Sequence, residues 1–380
     1  MRILFTGGGT GGHFYPVIAI AEEVTALVKE KRLLPPELFY ISPDPYNEGI
    51  LFEHGITYKR NVAGKSRTKP GILSLLRNFV DIWKTGGGVI LSLIQVWKMY
   101  PDVVFGKGGF ASFPAVLAAR ILRIPVVIHE SDTVPGRVNA WAGKFATRIA
   151  LSWADAGKYF PTDRVALTGN PVRKDISMPI LEGAREFLKL EENVPVILIL
   201  GGSQGASLIN DIVIEDLPNL LEKYQVIHQT GAKNLKSVEA TAKAVLLNST
   251  HKGRYKAYDY LNPLAMRMAA GVASVVVSRA GSTIFEIAAW GVPAILVPIT
   301  NSNGDHQRHN AFAYARAGAC EVIEEANFTA HILSGEIERL VTNVDLRQEM
   351  VASAKAFYKP NAARLVAEEI VKIALSHEIE

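Results

Sequence analysis

The sequence predicts an α/β protein of two Rossmann-like domains, each a parallel sheet covered by helices. Three observations predict it. Short strand-like runs rich in β-branched residues alternate with helix-length segments along the 380 residues. A strand running into a glycine-rich turn and then a helix occurs twice, at Arg2–Gly12 and again at Pro195–Gly205. Around Thr168–Pro171 the pattern turns irregular, which marks a linker. Domains over 1–168 and 169–359 are expected, at roughly 100–200 residues per domain.

Taken in order, Arg2–Thr6 is a strand, Gly7–Gly12 a turn, and a helix follows from about Pro16 to Lys31. Leu38–Ile41, Asp102–Phe105 and Val126–His129 are the next strands, with a helix over Phe113–Leu122. After the linker Pro195–Leu200 restarts the pattern, and its glycine turn leads into a helix from about Leu208. Val226–His228, Tyr255–Ala257, Ser274–Ser278 and Ala294–Pro298 continue as strands. Buried strands alternating with helices imply parallel sheets. The last helix, from about Pro360, has no strand left to join. Residues 360–380 are therefore expected to pack back on the first domain.

A content of 48% apolar and 21% charged residues excludes a disordered chain. One cysteine, Cys320, excludes an intrachain disulfide and a cysteine-based zinc site, and fits a reducing cytosol. Apolar runs such as Val194–Leu200 and Val89–Ile94 fall far short of the ~18 residues of a membrane span. The start, Met1 to Phe5, runs directly into Gly7-Gly8-Gly9 and leaves no room for a signal-peptide core. A cytoplasmic protein is expected. The net charge is +4, yet the stretch from His54 to Val80 holds Lys59, Arg60, Lys65, Arg67, Lys69 and Arg77 with no acid. That zone carries +6 and the remainder −2 (4 − 6), which suggests an anionic partner surface.

Each glycine turn is by itself a weak signal for ligand binding, since any tight strand-to-helix turn needs glycine. Two in equivalent places favour phosphate or pyrophosphate at helix N-termini. The first matches the dinucleotide fingerprint at Gly7, Gly9 and Gly12, with Asp44 past the second strand, so a nicotinamide enzyme is one alternative. His13, directly after it, is foreign to that fingerprint. The second turn matches Gly-x-Ser-x-Gly at Ser203, a hydrolase elbow whose partners would be Asp305 with His306 or His309. That reading leaves the first turn unexplained. No Asp-x-Asp pair occurs, so a leaving pyrophosphate must be stabilised by N–H groups and helix dipoles rather than a bridged metal.

Six motifs then occur in order: Gly8-Gly9-Thr10-Gly11-Gly12-His13, Gly106-x-Gly108-Gly109, His129-Glu130, Thr168-Gly169-Asn170-Pro171-Val172-Arg173, Gly201-Gly202-Ser203-Gln204-Gly205-Ala206 and Ser278-Arg279-Ala280-Gly281. In this set, over nearly its whole length, the chain resembles the MurG family, the peripheral-membrane N-acetylglucosaminyltransferases of peptidoglycan synthesis. The resemblance implies a GT-B fold, two Rossmann-like domains facing across a cleft. The first domain would lie on the acceptor and membrane side, and the second would hold UDP-GlcNAc. It also implies an inverting β(1→4) transfer of GlcNAc to lipid I, undecaprenyl-pyrophosphoryl-MurNAc-pentapeptide, giving lipid II and UDP for cell wall biogenesis, cell shape and division. No bound metal or other cofactor is implied. Lipid I, an anionic membrane surface and other cell-wall synthesis proteins are the implied partners, with no nucleic acid. The implied location is the cytoplasmic face of the cell membrane.

The same resemblance carries roles onto residues of this sequence. His13 is the expected base for the attacking hydroxyl, where an imidazole titrates near neutrality, and Glu130 would orient the base or the acceptor. Thr10, Gly11 and Gly12 match donor-sugar contacts, with Asp132 and Asn139 beside them. Ser203 and Arg173 match contacts to the donor diphosphate, Leu261 a backbone contact to uracil, Glu286 the ribose hydroxyls, and Gln307 the GlcNAc hydroxyls. Thr283 to Glu286 also reads as a capping box. Asp132 stands where some members carry asparagine, Phe110 replaces a frequent tyrosine, and Gly281–Thr283 is one residue short. Ile72, Leu75, Leu76, Phe79 and Trp83 fall on one helical face with Lys69 beside them. Next to the +6 zone, this reads as an interfacial membrane contact. A transferase acting on another acceptor and a non-catalytic nucleotide-sugar binder are the remaining alternatives.

Overall fold

The computed structural model describes residues 1–64, 72–202, 205–300 and 303–376, with the backbone alone at 72–80 and 303. The chain divides into two compact units, Met1–Arg173 with Pro360–Glu380, and Lys174–Lys359.

In the first unit β1 (Arg2–Thr6), β2 (Glu37–Ser42), β3 (Ile56–Arg60), β4 (Val103–Gly106), β5 (Val126–Glu130), β6 (Arg148–Leu151) and β7 (Val165–Leu167) form one parallel sheet. The order is β3-β2-β1-β4-β5-β6-β7. Its helices are α1 (Gly11–Glu30), α2 (Glu48–Glu53), α3 (Ile72–Met99), α4 (Phe113–Ile121) and α5 (Arg137–Ala142). Alternation along β1 divides the core. Ile3 and Phe5 pack with Phe14, Val17, Ile18 and Leu27 of α1 and with Val366, Ile370 and Ala374 of the C-terminal helix Ala362–Leu375. Leu4 packs on the other face with Val104, Ala115 and Val116. The apolar stripe of the last helix is thus buried against α1, which explains why a helix without its own strand stays attached.

The second unit repeats this winding. β8 (Val196–Leu200), β9 (Gln225–Gln229), β10 (Tyr255–Tyr258), β11 (Ala273–Ser278), β12 (Ala294–Leu296) and β13 (Cys320–Val322) run parallel in the order β10-β9-β8-β11-β12-β13. The helices are α6 (Lys174–Ser177), α7 (Ala184–Phe187), α8 (Ser207–Lys223), α9 (Leu235–Val245), α10 (Pro263–Val272), α11 (Thr283–Trp290), α12 (His306–Arg316), α13 (Ala330–Thr342) and α14 (Val344–Phe357). In each sheet the strand order reverses beside the first strand, at β1/β4 and at β8/β11. Such switch points open a crevice at the carboxyl ends of the strands, where α/β sheets bind ligands.

Several elements depart from the sequence reading. β3, β6, β7 and β13 are strands that the pattern did not mark, being short and, in β3, ending on Tyr58, Lys59 and Arg60. α1 starts at Gly11, one and a half turns before Pro16, because proline there forfeits a single second-turn hydrogen bond. The first unit continues past Thr168 to Arg173. Thr168 and Gly169 both donate their N–H groups to Leu151 O, at 3.0 Å each, which ties this stretch to β6.

His228, on β9, is fully buried and fully bonded. Its Nε2 donates to Asn210 Oδ1 at 3.0 Å, and Tyr255 donates its hydroxyl to Nδ1 at 2.9 Å. Burial lowers its pKa to about 3. The unfolded chain, with histidine near its ordinary value of ~6.5, binds that proton first as the pH falls. Stability from this residue is therefore full above about pH 6.5 and is lost on acidification toward the folded value. His228→Gln keeps one donor and one acceptor without the titration. Urea unfolding of wild type and variant between pH 6.5 and 5 should differ in slope by about 1 kcal/mol per pH unit, wild type losing more. Parallel slopes would mean that His228 is protonated in the fold.

Candidate functional site

The carboxyl ends of β1, β4 and β5 lie side by side in the first sheet, so the segments that follow them converge. After β1 come Gly7–Thr10 and the first turn of α1, where His13 N and Phe14 N both donate to Thr10 O. Thr10 Oγ1 and His13 Nδ1 share a 3.0 Å hydrogen bond, which fixes the ring. Its other nitrogen faces the turn after β4, where a Cβ built on Gly109 would stand 3.4 Å from His13 Nε2. Gly108 and Gly109 have φ of +91° and +78°, values that side-chain-bearing residues rarely take. At Gly108 the added reason is space: a Cβ would lie 2.7 Å from Asn139 Nδ2.

Glu130 ends β5 and is buried. Its Oε1 accepts from Asp132 N at 2.9 Å, and its Oε2 from Gly136 N and Asn139 Nδ2 at 3.0 Å each. Asn139 Nδ2 also donates to His129 O at 3.0 Å. These two residues thus hold the 131–136 loop in place. Asn139, expected among the donor contacts, spends its amide N–H groups inside the fold, and both Glu130 oxygens are engaged by the loop. Half-buried Asp132 follows at the loop's start. His129 lies beneath, its Nε2 donating to Gly169 O at 3.0 Å, so it is the Nε2–H tautomer.

The sequence reading missed Lys107, between Gly106 and Gly108. Only 1% of it is exposed, and among the described residues its Nζ has no hydrogen-bond partner. Burial first lowers its pKa to about 8, against the pull of Glu130 and Asp132. Burial, then the Lys107 charge, lowers His13 to about 4, with Asp132 opposing. The same two causes depress His129, and burial followed by the Asp132 charge raises Glu130. A lysine in a glycine turn reads as surface, and no sequence signal marked this one. Arg173 belongs to this unit as well; it is buried, with its guanidinium 3.9 Å above the Tyr15 ring.

In the second unit the corresponding edge is formed after β8, β11 and β12. Ser203 lies outside the described residues. α11 begins at Thr283, with Ser282 in the cap position and no side-chain cap bond, so the expected capping box does not form. Glu286 is half-buried in the first turn of this helix. Gln307, at the start of α12, accepts from Ile299 N through Oε1 at 3.2 Å, which joins the helix to the segment after β12. Glu325 binds that segment from the other side. It accepts from Thr300 N at 2.9 Å and Thr300 Oγ1 at 2.6 Å, and pairs with Arg279 Nη1 at 2.7 Å. Leu261 is not at a strand end, since β10 stops at Tyr258. Its N–H donates to Gln229 Oε1 at 3.0 Å, which leaves its carbonyl for any backbone contact.

Of the expected membrane residues, Lys69 and the side chains of Ile72, Leu75, Leu76 and Phe79 lie outside the described residues. Trp83 is 71% exposed. The same helix exposes Ile90, Ile94 and Trp97 at spacings of seven, four and three. Its opposite side is seated on the segment after β3. Gln95 Nε2 donates to Arg60 O at 3.0 Å, and a Cβ at Gly88 would run into Val62 O. Among the described residues no helix is long and apolar enough to cross a membrane.

A Gly108→Ala substitution should displace Asn139 and strain the backbone, at about 1–3 kcal/mol. Amide exchange at Asp132 and Gly136 should then accelerate ahead of the β-strands; unchanged protection there would contradict this account of the loop.

Comparison with known proteins places this architecture. Residues 3–151 match the glycosyltransferase family 28 N-terminal domain and residues 196–367 the family 28 C-terminal domain. The UDP-N-acetylglucosamine–N-acetylmuramyl-(pentapeptide) pyrophosphoryl-undecaprenol N-acetylglucosamine transferase of Halothermothrix orenii is 38% identical over 95% of both chains. The transferase of the same name from Pediococcus pentosaceus is 34% identical over 96% of this chain and 97% of its own. The crystal structure of Acinetobacter baumannii MurG matches 98% of this chain and 99% of its own with a TM-score of 0.71, at 26% identity. UDP-GlcNAc 2-epimerase from Neisseria meningitidis, at 16% identity and a TM-score of 0.66 over 98% and 100% of the chains, shares the fold. The chain belongs to glycosyltransferase family 28 and, within it, to the family of these N-acetylglucosamine transferases. Its fold is GT-B.

Proposed function

From that membership, we propose that the protein transfers GlcNAc from UDP-GlcNAc to the 4-hydroxyl of MurNAc in lipid I, giving lipid II and UDP in peptidoglycan synthesis. The observation that carries this reading is identity of 34–38% along nearly the whole chain to transferases named for that donor and acceptor. The nicotinamide and hydrolase alternatives account for neither domain match.

His13 is the base. With Nδ1–H donating to Thr10 Oγ1, the Nε2 lone pair is free to take the acceptor hydroxyl proton as oxygen attacks the anomeric carbon. Attack from the face opposite the departing UDP inverts the configuration. A histidine pKa lowered to about 4 keeps the ring unprotonated at neutral pH. Glu130 acts through the 131–136 loop that it gathers, with Asp132 at the loop's start and Asn139 bracing it. Thr10, Gly11 and Gly12 are the first unit's donor-sugar contacts in this reading, and Arg173 adds positive charge for the diphosphate. In the second unit Glu286 takes the ribose hydroxyls and Gln307 the GlcNAc hydroxyls, alongside Thr283 and the Leu261 carbonyl. In this reading the diphosphate contact falls to Ser203 and the N-terminus of α8, and the charge of UDP as it leaves is met by N–H groups and helix dipole.

The enzyme works as a peripheral protein on the cytoplasmic face of the cell membrane, where lipid I is embedded. The apolar stripe of α3 and the +6 zone before it support this reading, since an apolar face flanked by basic residues binds anionic interfaces.

UDP release from UDP-GlcNAc, measured with and without a short-chain lipid I analogue, tests the transferase. Release should depend on acceptor and prefer UDP-GlcNAc over UDP-GalNAc. His13→Ala should lower kcat by about 10²–10⁴-fold with donor binding retained, whereas Glu286→Ala should mainly raise the donor KM. Donor binding with no acceptor-dependent release would sink the lipid I assignment. For the membrane face, replacing Trp83 and Trp97 together by Ser should weaken partition onto anionic vesicles by about tenfold or more at unchanged melting temperature. Equal partition would remove α3 from the contact.

A further inference from the structure

Lys107 has no place in the chemistry above, yet it is an unusual residue in the first unit. Lysine normally runs its stem along the surface and leaves the ammonium in water. Here the turn after β4 holds the whole side chain inside, with 1% of the residue exposed and Nζ both inaccessible and, among the described residues, without a hydrogen bond. An ammonium with no accessible surface cannot itself touch a substrate. It acts on whatever charge lies next to it.

The strand order determines what lies there. β4 sits between β1 and β5, so the turn that carries Lys107 stands between the His13 turn and the Glu130 loop. A Cβ on Gly7, in the His13 turn, would come within 3.1 Å of Lys107 Cβ, and Gly109, two residues on, borders His13 Nε2. The ionisable groups that interact with the Lys107 charge from the surrounding elements are His13 on α1, His129 and Glu130 on β5, and Asp132 after β5. Those facing His13 are Lys107 and Asp132.

We propose that Lys107 is a positioning residue for the transfer reaction, an internal cation that holds His13 in its neutral form while keeping the Glu130 carboxylate charged for the 131–136 loop. Each half follows from the placement. A buried positive charge disfavours a second one on the neighbouring imidazole, and it favours a negative one on a neighbouring carboxylate. Glu130 needs that help, since burial and Asp132 both work against its ionisation while its three N–H bonds require an acceptor. Lys107 pays part of its own burial through the same two carboxylates. The inference rests on His13 as the base only for its effect on rate; the electrostatic arrangement stands without it.

The test is therefore a titration first and a rate second. His13 is followed by NMR in the full-length protein with labelled histidine, in wild type, Lys107→Met and Lys107→Arg. The Met variant should raise the His13 midpoint by about one pH unit or more, and the Arg variant should leave it near wild type. Asp132→Asn, on a half-exposed side chain, removes the opposing charge and should lower the midpoint. It keeps the test open should Lys107→Met fail to fold. An unmoved His13 midpoint in a folded Lys107→Met protein, or a rise in Asp132→Asn, overturns the proposal. In acceptor-dependent UDP release, Lys107→Met should lose about threefold more rate than wild type between pH 8 and pH 4.5, with Lys107→Arg restoring the profile. A shifted titration with an unshifted rate profile would leave the electrostatic arrangement intact and remove His13 from the base role instead.

Discussion

A parallel sheet covered on both faces leaves the chain one place to expose chemistry, the edge where its strands end. Ile3, Leu4 and Phe5 of β1 are all fully buried, as are Ile197, Leu198 and Ile199 of β8. Such strands offer no side chain to solvent, so the segments after β1, β4 and β5 in one unit, and after β8, β11 and β12 in the other, carry His13, Lys107 and Asp132, and Glu286 and Gln307. The strand order then decides which of these segments are neighbours. Because β4 was threaded between β1 and β5, residues 13, 107 and 130, far apart in the chain, share one electrostatic environment.

The two units stabilise that edge by different means. In the first, the groups are buried: Glu130, Asn139, His129 and Lys107 are almost fully covered, and the loop is held by N–H groups converging on a carboxylate. Buried charges of this kind cost desolvation, so they persist only where each charge is compensated. In the second, a partly exposed Arg279–Glu325 pair joins the end of β11 to the segment after β13, and Thr300, after β12, completes it. Burial works against the Glu325 carboxylate, but the Thr300 bonds and Arg279 outweigh it and hold its pKa below the usual range. The first arrangement makes protonation states sensitive to one another. The second makes a binding segment rigid with little dependence on neutral pH.

Much of this was legible in the residues. The two glycine turns, most strands and His13 stand out because periodicity and glycine at a strand end are local signals. The strands β3, β6, β7 and β13 did not, since three- to five-residue strands at or near sheet edges carry too few apolar positions to register. Thr283 to Glu286 spells a capping box, yet the helix starts one residue earlier than the motif requires, which puts Thr283 inside the helix and Ser282 in the cap position. Asn139 was legible as a polar residue near the site, but not as a brace, because its partners lie nine and ten positions back along the chain. Lys107 was illegible for the same reason in stronger form: nothing in Gly-Lys-Gly-Gly says that the lysine points inward.

That inward lysine bears on how His13, the proposed base, is kept ready. A histidine left in solvent titrates near 6.5 and is partly protonated in slightly acidic cytoplasm. Burial favours the neutral ring, though burial alone would also discharge the carboxylate that shapes the adjacent loop, since desolvation penalises every charge without regard to sign. A single buried cation separates the two outcomes, pushing the imidazole further toward neutral and the carboxylate back toward charged. Only a positive group does both. Its position on the strand between them is what lets one side chain act on two others, and its lack of a hydrogen bond leaves that charge undirected toward either.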